Sequence, residues 1–295
     1  VFRRILQQLR SLITNQEYEM DFYAGKSVLI TGGSSGIGLA LAENLVNKDC
    51  RVAILSRQKQ LLETAADKLQ AVSGNYHKDI LTIQADVTRR VELDQALGDY
   101  THTHGAPDIV INCAGVAHPG TFTSLKPEIF DWMMDVNYFG TVNVLKNLVP
   151  QMKERKSGVI VNISSIAGFL GIYGYTAYSA SKFAVTGFTD ALRTELKPYG
   201  IQISIVFPPD TQTPQLDYEK KYKPFVTQQL SGSAKLMSAD EVAKEILKKV
   251  AGKKYIILPG FEGKILFSAK NILGKNLHPI LDLVVNGAIR KVKFG

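Results

Sequence analysis

"SVLITGGSSGIG", residues Ser27–Gly38, decides the fold. Ser27–Thr31 is a short β-type apolar run. Thr31–Gly38 follows it without a break and leads into the amphipathic stretch Leu39–Lys48. Gly32, Gly36 and Gly38 stand in the spacing G-x-x-x-G-x-G rather than G-x-G-x-x-G. Glycines there let the backbone turn tightly and approach a ligand, and the helix start presents N–H groups and a positive dipole end to a pyrophosphate. An ordinary tight turn has the same glycines, so the reading depends on what surrounds them.

Further apolar runs follow at Arg51–Ser56, Ile80–Gln84, Asp108–Asn112, Gly158–Ile163, Ile201–Phe207 and Tyr255–Leu258. Helical patterns fill the gaps, as at Gln60–Val72 and Ala184–Leu196. Strand–helix alternation predicts βαβ units: an α/β, Rossmann-type doubly wound parallel sheet of about seven strands with helices on both faces. No repeat or low-complexity linker interrupts residues 25–260, which are expected to form one domain between an amphipathic segment, 1–24, and a basic amphipathic extension, 261–295.

The chain of 295 residues has 45 % hydrophobic and 21 % charged residues, enough for a large core and incompatible with wholesale disorder. Cys50 and Cys113 form no metal or redox spacing, and no metal site is expected. No signal peptide is read, so a cytoplasmic location is expected. Ser157–Ser181 is 25 residues without a formal charge, yet Asn162 and the repeated serines and glycines read better as a buried strand and an active-site loop than as a membrane span. From Asp240 onward, eleven Lys/Arg face five Asp/Glu, which places six of the net +8 charges in the last 56 residues. The near-neutral body argues against nucleic acid as a partner.

The two ends carry apolar stripes. Phe2, Ile5, Leu6, Leu9, Leu12 and Ile13 lie beside Arg3, Arg4 and Arg10; Leu281, Val284, Val285, Ala288 and Val292 lie near Arg290, Lys291 and Lys293. Two readings stand. The stripes pack on the body or a second subunit, or they lie on a membrane surface as peripheral helices. Neither is long and apolar enough to span.

"GIYGYTAYSASK", Gly171–Lys182, holds Tyr173, Tyr175 and Tyr178. Of the chain's twelve tyrosines only Tyr178 has a lysine at i+4, one helical turn on, at Lys182. A free tyrosine, with a pKa of about 10, is a sluggish acid near neutrality. A neighbouring ammonium favours the phenolate and is expected to lower that pKa. Ser165 is placed to donate to a developing oxyanion while Tyr178 transfers a proton. Tyr173 and Tyr175 either line the pocket or simply pack. After the second strand stand Ser56-Arg57, with Lys59 close by, where an acidic residue would take the ribose hydroxyls of NAD. A cation without a carboxylate favours the 2′-phosphate of NADP(H); a solvated arginine at a strand end is the other reading. Asp86-Val87 after the third strand is a candidate for holding the adenine. "NCAG", Asn112–Gly115, offers small residues where the strand order reverses.

Together, TGGSSGIG, NCAG, Asn137 in "DVNYFG", Ser165 in "NISS" and Tyr178-x-x-x-Lys182 resemble the short-chain dehydrogenase/reductase family across residues 25–260. Ser165 lies thirteen residues before Tyr178, as in the family pattern. "GYTAYSASKFA", "LKPYGI" and "FPPDTQTP", with Pro208-Pro209 in place of the usual Pro-Gly, are most similar to its 3-ketodihydrosphingosine reductase group. The resemblance implies a catalytic set of Asn137, Ser165, Tyr178 and Lys182, with Asn137 holding a water in a proton relay and Lys182 also binding the nicotinamide ribose. It implies a cofactor cradle of Gly32, Ser34, Ser35, Gly36, Ile37, Gly38, Arg57, Lys59, Asp86, Val87, Asn112 and Ala114. Pro208, Thr211 and Thr213 join that cradle at the nicotinamide carboxamide end. The expected activity is NADPH-dependent reduction of a long-chain lipid ketone by a homo-oligomer, a dimer or tetramer. Another apolar ketone (steroid, retinoid or β-ketoacyl) is the alternative substrate, and a cofactor-sensing protein without turnover the alternative class.

Overall fold

The computed structural model describes residues 19–73, 80–232 and 236–294. Six strands form first: β1 Ser27–Thr31, β2 Arg51–Ser56, β3 Leu81–Gln84, β4 Ile109–Asn112, β5 Gly158–Ile163 and β6 Ile201–Val206. β7 Thr211–Gln212 and β8 Met237–Ser238 make a small parallel pair of their own, and β9 Ile256–Ile257 closes the main sheet. The main sheet has seven parallel strands in the order β3-β2-β1-β4-β5-β6-β9. This is the expected Rossmann-type arrangement. The chain order reverses between β1 and β4, and the helices that follow these two strands leave toward opposite faces. A crevice therefore opens at their carboxyl ends.

Strand residues alternate between two cores. Val28, Ile30, Val52, Ile54, Ile109 and Ile111 meet helices Gly36–Val46, Lys59–Val72 and Ala239–Ala251. Leu29, Ala53, Leu55, Val110 and Ile160 meet helices Arg90–His104 and Gly140–Arg155. Both faces are covered, which is why these strands read as continuous apolar runs. Tyr23, just ahead of the expected domain start, is also core: it is fully buried and its hydroxyl donates to Leu247 O at 2.9 Å.

Element starts differ from the sequence reading in an instructive way. The helix after β1 begins at Gly36, inside the glycine turn, and the helix expected from Ala184 begins at Thr176. Apolar periodicity finds where a helix is buried, not where its backbone bonds begin. Asn137 lies in a single π-helical turn, Asp135–Phe139, which joins two α-helices.

A third core builds the far end. Phe169 packs edge to face on both Phe207 and Phe267, 5.2 Å from each ring. Phe267 belongs to helix Glu262–Leu273, so the C-terminal extension packs on the segment just after Ser165. In the last helix, Leu277–Phe294, Leu281 packs inward and Ala288 is buried, but Val284 of the same expected stripe is exposed. Exposed apolar side chains here include Phe261, Ile265, Ile272, Leu273, Ile280, Leu283 and Val284. The N-terminal stripe Phe2–Ile13 and the side chains of Val292 and Lys293 lie outside the described residues.

Candidate active site

The glycine turn works by close approach. A Cβ on Gly32 would stand 2.9 Å from Ala114 Cα, and one on Gly38 would stand 2.3 Å from Gly32 O. Gly32 also has φ +68°, a left-handed conformation that suits glycine. Ser35, Gly36, Ile37 and Gly38 line a cavity of about 230 Å³ that runs to Ser165, Tyr178 and Lys182. A second cavity of about 200 Å³ shares Gly32, Ser35 and Gly115 with the first and extends past Ser34, Ala114, Asp86, Val87 and Arg57. The two together make one cleft along the carboxyl edge of the sheet, across the β1–β4 switch.

Three consecutive residues at the end of β5 hold the reactive helix Thr176–Leu196. Ile163 O accepts from Lys182 Nζ at 3.0 Å, and Ser164 Oγ donates to Lys182 O at 3.1 Å. Ser165 and Gln215 stand beside the Tyr178 hydroxyl, near enough to favour its ionised form. The sequence set Ser165, Tyr178 and Lys182 is thus brought together. Asn137 is brought beside it, with its side chain held by protein partners. Its amide hydrogens go to Val116 O at 3.0 Å and Ser181 Oγ at 2.9 Å, and Oδ1 accepts from Val116 N at 2.8 Å. These bonds brace the β4 loop against the reactive helix and leave the amide hydrogens none for a water.

Other expected contacts sort less evenly. Arg57 faces both the cleft and Asp86, whose Oδ2 lies 4.0 Å from its guanidinium, while Asp86 Oδ1 is occupied by Thr88 N and Oγ1. No carboxylate stands at the end of β2; Ser34 Oγ donates to Ser56 Oγ there at 3.0 Å. Lys59 opens the following helix, exposed and paired with Glu63, and lines neither cavity. Asn112 is buried and donates to Asn162 Oδ1 at 2.8 Å, so its side chain ties β4 to β5 instead of facing the cleft. Pro208, Thr211 and Thr213 do line it. The Thr211 hydroxyl donates to Pro209 O, and Thr213 Oγ1 accepts from Leu216 N, capping helix Pro214–Lys220.

Sequence reading missed a polar wall opposite Lys182. Tyr175 donates to Glu219 Oε2 at 2.6 Å, and Gln215 Nε2 donates to Glu219 Oε1 at 2.9 Å. Glu219 is buried, and all three residues line the cavity. The signal was present: Gln215 and Glu219 stand at i, i+4, hence on one helix face.

Charge in the site runs against the simple expectation. Burial, then Glu219, push the Tyr178 phenol above its ordinary value; the Ser165 and Gln215 hydrogen bonds pull it partly back. Proximity to Lys182 does not offset that burial: its Nζ turns to Ile163 O and lies 5.8 Å from the Tyr178 ring centre. Burial instead lowers the Lys182 ammonium itself from the ordinary 10.5 to about 8. Burial also raises the Cys113 thiol to about 11, opposed by Lys182.

A depressed lysine costs stability while the unfolded chain binds the extra proton. That cost is full below about pH 8 and fades as pH rises toward 10.5. Lys182→Met is therefore expected to be more stable than the parent at pH 7, by roughly 1–3 kcal/mol. Urea unfolding at pH 7 and pH 10 checks this: the advantage should shrink at pH 10, and a pH-independent difference would contradict it.

The chain is 35 % identical over 245 residues to 3-ketodihydrosphingosine reductase of Mus musculus, covering 83 % of this chain and 74 % of that one. It is 36 % identical over 247 residues to the protein of the same name in Dictyostelium discoideum, covering 79 % and 74 %. Among solved structures, a short-chain dehydrogenase from Sphingobium yanoikuyae in complex with NADPH superposes with a TM-score of 0.73 at 26 % identity, covering 86 % of this chain and 95 % of that one. Residues 26–223 match the family described as short chain dehydrogenase. With its seven-stranded parallel sheet, glycine turn and Tyr178–Lys182 helix, the chain belongs to the short-chain dehydrogenase family, and it is an oxidoreductase.

Proposed function

We propose that this chain reduces 3-ketodihydrosphingosine to dihydrosphingosine with NADPH. The carrying observation is the convergence of Ser165, Tyr178 and Lys182 at one end of a cleft whose other end holds Arg57. The names of the mouse and Dictyostelium relatives support the substrate, and the NADPH complex of the Sphingobium neighbour supports the cofactor. A dinucleotide fits these residues. The turn at Gly32 and Gly38 leaves no room for a Cβ, and the end of β2 offers a cation where NAD would need a carboxylate. Gly32, Ser34–Gly38, Asp86, Val87 and Ala114 would flank it, with Thr211 and Thr213 near the nicotinamide end.

The bound cofactor supplies a hydride to the carbonyl carbon. The chain's own residues handle the oxygen. Ser165 Oγ donates a hydrogen bond to it, which strengthens as negative charge develops. As the C=O π bond breaks, Tyr178 gives its phenolic proton to that oxygen, so that an alcohol and a phenolate result. Lys182, held by Ile163 O, stands one turn away to stabilise the phenolate before it is reprotonated. Asn137 positions this helix through Ser181.

Tyr178→Phe is expected to abolish most turnover of 3-ketodihydrosphingosine while NADPH binding, read by fluorescence, persists. Retention of more than about a tenth of the parent rate would refute the proton-donor assignment, since positioned proton transfer contributes about a hundredfold or more. In parallel, the parent enzyme should prefer NADPH, and Arg57→Asp should reverse the preference; equal kcat/KM for NADPH and NADH in the parent would defeat the cofactor reading.

Residues 25–260 carry this chemistry, and the extension 261–295 covers its far end and supplies a surface. Among the described residues no helix is long and apolar enough to cross a membrane. The exposed Ile272, Leu283 and Val284, 82 %, 74 % and 54 % accessible, with Arg290 and Lys291 nearby, suit peripheral contact with an anionic bilayer, where a sphingoid ketone resides. Vesicle flotation tests this. The full chain should float with anionic vesicles at low salt and less at high salt, and Leu283→Asp/Val284→Asp should stay at the bottom. Pelleting of the full chain at low salt would assign these side chains to a second copy of the chain, the homo-oligomer expected from sequence.

A further inference from the structure

Charges around Tyr178 are unevenly matched. On one side lies Lys182. On the other lie Glu219, Asp210 and Lys223, with Lys223 Nζ committed to Asp210 Oδ2 at 3.2 Å. Glu219 is hydrogen-bonded by neutral donors only, the Tyr175 hydroxyl and the Gln215 amide; Lys223 favours its charge without an ion pair, and burial still holds the carboxyl above its ordinary value. Among the described residues it makes no ion pair, yet it is 6 % exposed and lines the cavity with Tyr178 and Ser165. A carboxylate at the reacting end of a cavity, without a cation in contact, is costly unless the ligand brings the charge. Its field reaches the Tyr178 hydroxyl and opposes the phenolate.

A sphingoid ketone carries an ammonium on the carbon next to the carbonyl. When Ser165 and Tyr178 hold the carbonyl oxygen, covalent geometry keeps that ammonium within a few ångströms of it. Resting on the reductase reading above, we propose that Glu219, held by Tyr175 and Gln215, is the acceptor that binds the substrate's ammonium and selects α-amino ketones over uncharged ones. The pairing has a second consequence. A bound ammonium neutralises Glu219 and removes the charge that disfavours ionisation of Tyr178, so the correct substrate improves its own proton donor. Steroid and β-ketoacyl ketones bring no cation and leave the carboxylate buried and unpaired. Asp210 and Lys223, as a closed pair, add no net charge. A scaffolding role for Glu219, as a partner of Tyr175 alone, gives no reason to discriminate by the amine.

The test uses the full chain with NADPH and two ketones of equal chain length: 3-ketodihydrosphingosine and 1-hydroxyoctadecan-3-one, which lacks the amine. The parent should favour the amine by about tenfold or more in kcat/KM, the scale of a hydrogen bond to a charged group. Glu219→Gln should lose that preference through a higher KM for the amine, while loss of the charge that opposes the phenolate should raise kcat for the uncharged ketone; Glu219→Asp should restore part of the preference. Equal kcat/KM for the two ketones with the parent enzyme overturns the proposal, whether or not the variants fold. So does a Glu219→Gln enzyme that slows both ketones equally. Failure of the parent to reduce 3-ketodihydrosphingosine at all, with other ketones accepted, sinks the reductase reading and this proposal with it.

Discussion

The hydrogen bonds between the end of β5 and the helix Thr176–Leu196 fix everything reactive in this molecule. Ile163 O accepts from the Lys182 ammonium, Ser164 Oγ donates to the Lys182 carbonyl, and Ser165 stands beside Tyr178. Three successive strand-end residues thus set the height, rotation and chemistry of the helix. β5 in turn is the strand next to β4, and Asn162 of β5 accepts from Asn112 of β4 while donating to Thr189 of the same helix. A polar thread runs from the strand-order switch to the reactive helix through a core that is otherwise apolar. Parallel strands make this possible because all carboxyl ends gather at one edge.

Burial gives the site its electrostatic character. It depresses Lys182 and raises Tyr178, so proximity of the two does not by itself produce an acidic phenol. The remaining control comes from the helix Pro214–Lys220, which contributes Gln215 and Glu219 on one face. The site therefore has two sides with different origins. The β5 side orients the donor, and the side after Pro208-Pro209 sets its surroundings. The C-terminal helix Glu262–Leu273 supports the first of these by stacking Phe267 on Phe169.

Much of this was legible in the amino-acid sequence. Seven apolar runs became seven parallel strands, because two-sided burial writes an unbroken apolar signature. The glycine turn was legible because steric exclusion at Gly32 and Gly38 leaves one residue type. Tyr178 and Lys182 were found by helical spacing. What sequence did not show depends on direction. Asn112 and Lys59 stand near the cleft in the chain but turn away from it, one into the sheet and one into solvent. Asn137 is at the site, but its amide is taken by the Val116 backbone. Glu219 was passed over because a carboxylate among Asp217, Lys220 and Lys221 resembles a solvated surface; only the folded chain pairs it with Tyr175. In the last helix, the stripe's Val284 faces outward while Leu281 faces inward, a rotation that periodicity alone does not resolve.

The central claim is that this cleft reduces a sphingoid ketone. Initial rates of NADPH oxidation by the full chain, measured side by side on 3-ketodihydrosphingosine, a steroid ketone and a β-ketoacyl thioester, test it most directly. The account predicts the highest kcat/KM for 3-ketodihydrosphingosine, with dihydrosphingosine formed mole for mole with NADPH consumed. A higher kcat/KM for either of the other ketones would contradict it.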